Sequence, residues 1–264
     1  MVFPPATSAV ETGTERFHCE PMQKIAVLVC DDHAVVRQGL RSLLDASVDI
    51  AVIGEAENGL RAVSEAVRLQ PDVVLLDIAM PLLNGITATR KLAVEVPRAK
   101  VLILTSYNDD QSVHQAVAAG AAGYLTKEAA SDDLLQAIRE ISKGNPFFNP
   151  PIAASLLKQW RNRDVKTKSS PGPLLTIRQT EVLQLIAEGY ITKQIADVLS
   201  LSQKCVEKHR QDLMDKLGLH KTALLTRFAA SNSAIESNRL PDWPSSRELQ
   251  RQISKFGPNV HTGI

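Results

Sequence analysis

Two alternating hydrophobic periods run through the chain between Lys24 and Lys143. Short β-rich apolar runs occur at Ile25–Cys30, Ile50–Ala56, Val73–Leu76, Lys100–Leu104 and Gly123–Leu125. Between them, apolar residues such as Val35, Leu40, Leu43 and Leu44 fall at helical spacing, and further helical patterns cover roughly 58–70, 83–96, 109–119 and 130–143. Strands that alternate with helices predict a doubly wound α/β domain with a five-stranded parallel sheet covered on both faces. The runs VVLL and VLIL are apolar throughout, as strands buried on both faces should be.

Asn145–Pro151 (NPFFNPP) cannot continue a helix, because proline lacks the amide and clashes with the preceding turn. A short helix over about 152–161 is expected next, followed by RDVKTKSSPGP, which is polar, basic and turn-rich like a linker. From Leu174 to Ala230 strand patterns stop, and four helical segments appear at about 177–188, 192–199, 203–217 and 221–230. Gly189 and Gly218 fall where helices should end, Thr176 and Ser202 where they should begin. The expected organisation is a disordered extension over 1–23, an α/β domain over 24–144, a linker with a short helix over 145–173, an all-α four-helix domain over 174–230, and a partly disordered tail over 231–264. In the tail, Trp243 and Glu248–Phe256 leave open a small docking helix or plain disorder. Only Gln23 and Lys24 separate Met22 from the first strand, which makes it an alternative translation start to Met1.

The overall net charge of +1 conceals a division: residues 24–144 hold 12 Lys/Arg against 16 Asp/Glu, whereas 145–230 hold 13 against 7. The acidic half and the basic half point to separate tasks, the second at a polyanion. Cys19, Cys30 and Cys205 match neither a disulfide framework nor a metal-knuckle spacing. No apolar stretch approaches a membrane span, and 1–23 lacks the basic start and apolar block of a signal peptide. A cytoplasmic protein without a membrane partner is expected.

Asp31 and Asp32 follow the first strand directly, and Asp77 follows the third. In a doubly wound sheet these ends converge, and ligands bind there. Three carboxylates at one rim repel unless a hard divalent cation sits among them. Thr105 directly follows the fourth run and Lys127 comes just after the fifth, so a hydroxyl and an ammonium reach the same rim.

Over about 24–144, through VLVCDDH, LLDIAMPLLNG, LILTSY and GAAGYLTKE, the sequence resembles the receiver domain of bacterial two-component response regulators. The resemblance implies that Asp77 accepts a phosphoryl group, with Thr105 and Lys127 binding its oxygens. It implies Mg²⁺ held by Asp31, Asp32, Asp77 and the backbone carbonyl of Ala79. Thr105 and Tyr124 occupy the switch positions, although Tyr124 reads equally as a half-buried strand aromatic. Glu128 stands where many receivers have proline after the lysine. Phosphatases of the haloacid-dehalogenase type also carry a strand-end aspartate, but need a second aspartate two residues on; Ala79 cannot donate a proton.

The segment 174–230 resembles the LuxR/NarL-type (FixJ-like) DNA-binding domain. The matching features are LTxRxxEVL within Leu174–Leu183, KQIA at Lys193–Ala196, Leu201–Ser202, VEKHR at Val206–Arg210 and KLG at Lys216–Gly218. The segments 192–199 and 203–217, joined by Ser200–Ser202, have the spacing of a helix-turn-helix, with Ile195, Ala196, Leu199, Leu201 and Val206 between them. The outward, largely basic face of Lys204, Glu207, Lys208, Arg210 and Gln211 suits a major groove. By resemblance Lys204, Glu207, Lys208 and Gln211 face DNA, Lys193 touches its backbone, and Val206 and His209 serve packing and phosphate positioning. Cys205 replaces the usual threonine, and Ile191–Thr192 replaces the usual Ser-Asn, weakening the cap there.

The resemblance implies a non-enzymatic response regulator and transcription factor. Its expected partners are a sensor histidine kinase, double-stranded DNA, a second copy of the chain when phosphorylated, and RNA polymerase. A pair would bind promoter half-sites about one helical turn apart. Two alternatives stand beside it: a DNA-binding regulator controlled by protein contacts without phosphorylation, and a receiver-driven interaction protein without DNA binding.

Overall fold

A computed structural model describes residues 24–106, 110–150, 152–154, 156, 175–219 and 221–231. The expectations for 1–23, for most of the linker and its helix, and for the tail beyond 231 lie outside these residues. The first domain runs β1 (Ile25–Cys30), α1 (Ala34–Asp45), β2 (Ile50–Ala56), α2 (Gly59–Leu69), β3 (Val73–Leu76), α3 (Gly85–Glu95), β4 (Lys100–Thr105), α4 (Asp110–Ala119), β5 (Gly123–Thr126), α5 (Ser131–Ser142) and β6 (Phe147–Phe148). All strands pair in parallel in the order β2-β1-β3-β4-β5-β6.

Side chains on a strand point alternately to the two faces, and the core divides accordingly. Leu28, Cys30, Val74, Leu76, Ile103 and Tyr124 pack with Ala62, Val63 and Ala66 of α2, Ile86 and Leu92 of α3, and Val113 of α4. Val27, Val29, Val73, Leu75, Leu102 and Leu104 pack on the other side with Leu44 of α1 and Leu134, Ile138 and Ile141 of α5. Both faces are thus sealed, which explains why β3 carries no polar residue.

The sheet has six strands where five were expected. Phe147 and Phe148 pair with Gly123 and Tyr124, although the proline-flanked segment is too short to show a period of its own. Gly123 permits that approach: a Cβ there would stand 2.7 Å from the Phe147 carbonyl oxygen. Thr105 and Thr126 also lie inside β4 and β5, paired with each other, one residue beyond the expected ends.

In the second domain, α6 (Ile177–Ala187), α7 (Thr192–Leu199), α8 (Gln203–Leu217) and α9 (Thr222–Ser231) enclose Val182, Leu183, Ile186, Ile195, Leu199, Val206, Leu213 and Leu225. Thr176 and Gln179 form a reciprocal capping box at the start of α6, and the Ser202 hydroxyl caps α8 by accepting from the Cys205 amide. Gly189 and Gly218 follow the ends of α6 and α8 at φ 88° and 63°. Ile191, at the start of α7, supplies no capping side chain, so the departure from Ser-Asn leaves that helix end without its usual acceptor.

Candidate functional site

Cys30 and Leu76 are register partners on adjacent strands, so the residues next in the chain, Asp31 and Asp77, emerge side by side. Both are buried, and Lys127, just after β5, reaches between them: its Nζ lies 2.6 Å from Asp31 Oδ2 and 2.7 Å from Asp77 Oδ2. Burial pulls the Lys127 ammonium down, but hydrogen bonds and charge from Asp31 and Asp77 outweigh it and hold the group above its ordinary value. The other Asp77 oxygen accepts from the Ile78 amide at 2.7 Å. Each carboxylate oxygen of Asp77 is therefore aimed and held.

Asp32 stands at the mouth of the pocket, more open than Asp31. His33, whose role the sequence reading missed although it lies in the DDH triplet, ties the two together. Its amide donates to Asp31 Oδ1 at 2.8 Å, and its Nδ1 lies 2.8 Å from Asp32 Oδ1. The Arg37 guanidinium donates to the Asp31 carbonyl at 2.7 Å and bonds Glu55, which bracing fixes the start of α1 behind the pocket. Thr105 is fully buried at the end of β4, and its carbonyl accepts from the Lys127 amide at 2.9 Å. Tyr124 is wholly buried rather than half-buried. Among the described residues every peptide bond is trans, Lys127–Glu128 included.

Asp31, Asp32 and His33 offer ligand atoms within 4.8 Å of one another. Asp31 and Asp77, bridged by Lys127, and Asp32 beside Asp31 present carboxylate oxygens, the donor type that suits a hard cation such as Mg²⁺. Receiver domains as a family bind Mg²⁺ at their phosphorylation site.

The loop after Asp77 meets the second domain. Gly85, at the first turn of α3, lies so near Asp77 that a Cβ would stand 2.0 Å from the Asp77 carbonyl oxygen, and its amide donates to the Ile78 carbonyl. Between these points the loop turns through Leu82, a non-glycine residue at φ 66°. Gln184 of α6 accepts from the Asn84 amide at 2.8 Å and donates to the Met80 carbonyl at 3.1 Å. Glu188 accepts from the Leu82 amide at 3.1 Å, and Leu82 packs against the core of the second domain. Lys91 of α3 reaches Glu181 at 3.0 Å, a buried carboxylate that also holds Arg178 at 2.7 Å. Sequence reasoning missed this surface. Its mark is structural: α6 buries the polar Glu181 and Gln184 as deeply as its leucines.

On the second domain, the structure leaves Lys193, Lys204, Glu207, Lys208 and Gln211 exposed, and places Arg210 half-buried at the edge of that face. Burial lowers the Arg210 guanidinium below its usual range, against an opposing effect of Glu207. The turn between α7 and α8 passes through Ser200 at φ 53°, and the Leu201 amide closes it onto the Ala196 carbonyl at 2.8 Å. This is a helix-turn-helix with a polar outer face on its second helix.

No helix among the described residues is long and apolar enough to cross a membrane. Residues 27–139 match the response regulator receiver domain, and residues 173–229 match the bacterial regulatory proteins of the luxR family. The chain is 36% identical over 214 residues to the oxygen regulatory protein NreC of Staphylococcus aureus, covering 80% of this chain and 99% of that protein. Among solved structures it is similar to the RcsB response regulator of Salmonella typhimurium, at 25% identity and a TM-score of 0.51 over 80% of this chain and 98% of that one. It is also similar to a LuxR-family two-component response regulator from Aurantimonas, at 32% identity and a TM-score of 0.50 over 53% of this chain and 99% of that one. With the acidic strand-end pocket and the helix-turn-helix in one chain, the protein belongs to the two-component response regulators that join a receiver to a luxR-type DNA-binding domain, a family of transcription regulators rather than enzymes.

Proposed function

We propose that Asp77 accepts a phosphoryl group from a phosphohistidine of a sensor kinase, and that this event controls binding of promoter DNA by α8. In the transfer the P–N bond of the donor breaks as a P–O bond forms to an Asp77 carboxylate oxygen. Lys127 neutralises charge on the arriving oxygens, and Thr105 donates its hydroxyl to one of them. Asp31, Asp32, Asp77 and the Ala79 carbonyl would hold Mg²⁺, which offsets the negative charge crowded at the site. Thr105 and Tyr124 form the switch on the β4–β5 side.

One observation carries the reading. The segment from Asp77 to Gly85 is anchored at its first residue by Lys127 in the acidic pocket, and at Met80, Leu82 and Asn84 by Gln184 of α6 and Glu188 just after it. Phosphorylating Asp77 to an acyl phosphate changes the charge and the hydrogen bonding of that first anchor, and the loop beyond it is the path to α6. Releasing α6 frees the domain to pair with a second copy on two half-sites, where Lys193, Lys204, Glu207, Lys208, Arg210 and Gln211 meet phosphates and base edges and RNA polymerase can be engaged. The solved RcsB structure concerns DNA interaction by that protein, and the same domain pair stands here. Intact-protein mass measured after incubation with Mg²⁺ and acetyl phosphate tests the acceptor. One phosphoryl addition is expected on the wild type and none on Asp77→Ala. An unchanged wild-type mass would favour control by protein contacts instead.

A further inference from the structure

Cys205 and His209 stand one turn apart on α8, with Cys205 Sγ 3.6 Å from His209 Nε2. Residues four apart are neighbours on a helix surface. The opposite ring nitrogen, Nδ1, is buried and meets no hydrogen-bond partner among the described residues, which leaves Nε2, facing the sulfur, as the bonded nitrogen of the ring. Cys205 is half-buried in the first turn of α8, beside exposed Lys204 and with exposed Lys208 three positions on. A thiol within reach of an imidazole is the arrangement by which proteins activate a sulfur nucleophile.

Cys30 is the opposite case. It is buried in the sheet core, and burial, aided by the charge of Asp31, pushes its thiol far above the ordinary range. A metal reading of the pair fares poorly. Two ligands do not close a zinc site, and among the described residues three ligand-bearing groups converge at Asp31, Asp32 and His33 instead.

We infer that Cys205 and His209 form a thiol-modification site on the DNA-facing helix that takes small anionic disulfides, and that its occupancy turns DNA binding off. In the step, Cys205 Sγ attacks one sulfur of the disulfide and its proton passes to His209 Nε2. The external S–S bond breaks, a new S–S bond forms to Cys205, and the second sulfur leaves as a thiolate with the bonding electrons. The disulfide is the oxidant, so no other reagent is required. Lys204 and Lys208 attract an anionic disulfide. Once attached, its bulk and negative charge occupy the side of α8 that phosphates must approach. The switching consequence rests on the DNA-binding role proposed for α8; the reactivity does not.

The test uses the full chain carrying Cys19→Ser, oxidised glutathione as the probe, peptide mass spectrometry, and anisotropy of a labelled promoter duplex. Expected is one adduct on Cys205, formed about tenfold faster in the folded chain than in the urea-unfolded chain at the same pH. DNA affinity should fall about tenfold or more and recover with dithiothreitol. His209→Gln should slow adduct formation about tenfold, and Cys205→Ser should bind DNA indifferently to the probe. A folded chain that reacts no faster than the unfolded one, or a His209→Gln chain that melts like wild type yet reacts at its rate, overturns the site. An adduct that leaves DNA affinity intact overturns the switching. If reduced, phosphorylated protein fails to bind DNA, the proposed function falls, while the adduct rates still decide the thiol site.

Discussion

Replacing Gln184 by alanine isolates the contact between the two domains. The side chain is buried, with Oε1 on the Asn84 amide and Nε2 on the Met80 carbonyl and on Glu188 Oε1 at 2.8 Å. Asn84 is buried too, so in the docked arrangement the variant strands a backbone donor with no water to replace its partner. Such a stranded group costs about 1–3 kcal/mol. Undocking removes the cost, because water then reaches the amide. The docked-to-undocked ratio should thus fall about 5- to 150-fold. Amide hydrogen exchange reads this directly, since exchange through a local opening tracks the open population. Asn84 and Leu82 amides should exchange faster by that factor in Gln184→Ala, while β3 amides such as Leu75 keep the wild-type rate. Equal rates at Asn84 in the two proteins would refute the docking argument. Acceleration spread evenly over the whole receiver would refute it as well, by showing general destabilisation.

Lys127→Ala leaves the buried Asp31 and Asp77 facing each other without their shared cation. It should lower stability by about 3 kcal/mol in chelator, as judged by urea unfolding, and Mg²⁺ should restore more stability to the variant than it adds to wild type. Ile191→Ser supplies the missing acceptor at the start of α7 and should raise the stability of the second domain by about 1 kcal/mol in thermal melts. Asp49 is held below the usual carboxylate range by the hydrogen bond from Arg139, with burial opposing. A depressed folded-state value means stability that is present above the unfolded value of about 3.9 and is lost as pH falls through the lower, folded one. The Asp49→Asn deficit, under about 1 kcal/mol because the pair is partly exposed, should be seen at pH 7 and vanish in acid unfolding curves.

The pocket was legible because its geometry comes from topology alone. Apolar runs at 25–30 and 73–76 become neighbouring parallel strands, and the residues at their carboxyl ends must share a rim, so Asp31, Asp77 and Lys127 converge as expected. His33 was less legible, since its part depends on the backbone conformation just before α1, where its amide turns onto Asp31. The docking surface was not legible for a different reason. Gln184 and Asn84, or Lys91 and Glu181, are separated by about a hundred residues or slightly fewer, and a helix pattern does not distinguish a polar residue facing water from one facing another domain. The two-residue β6 is likewise a product of its neighbour: Phe147 and Phe148 are extended because β5 offers them an edge.

Phosphorylation of Asp77 is proposed to govern DNA recognition by α8. The most direct measurement is the affinity of a promoter fragment for wild type and Asp77→Ala, each with and without Mg²⁺ and acetyl phosphate at fixed salt. The donor should tighten wild-type binding and leave the variant unchanged. Affinities that are alike in all four conditions would contradict the claim and shift control of the helix-turn-helix to contacts with another protein.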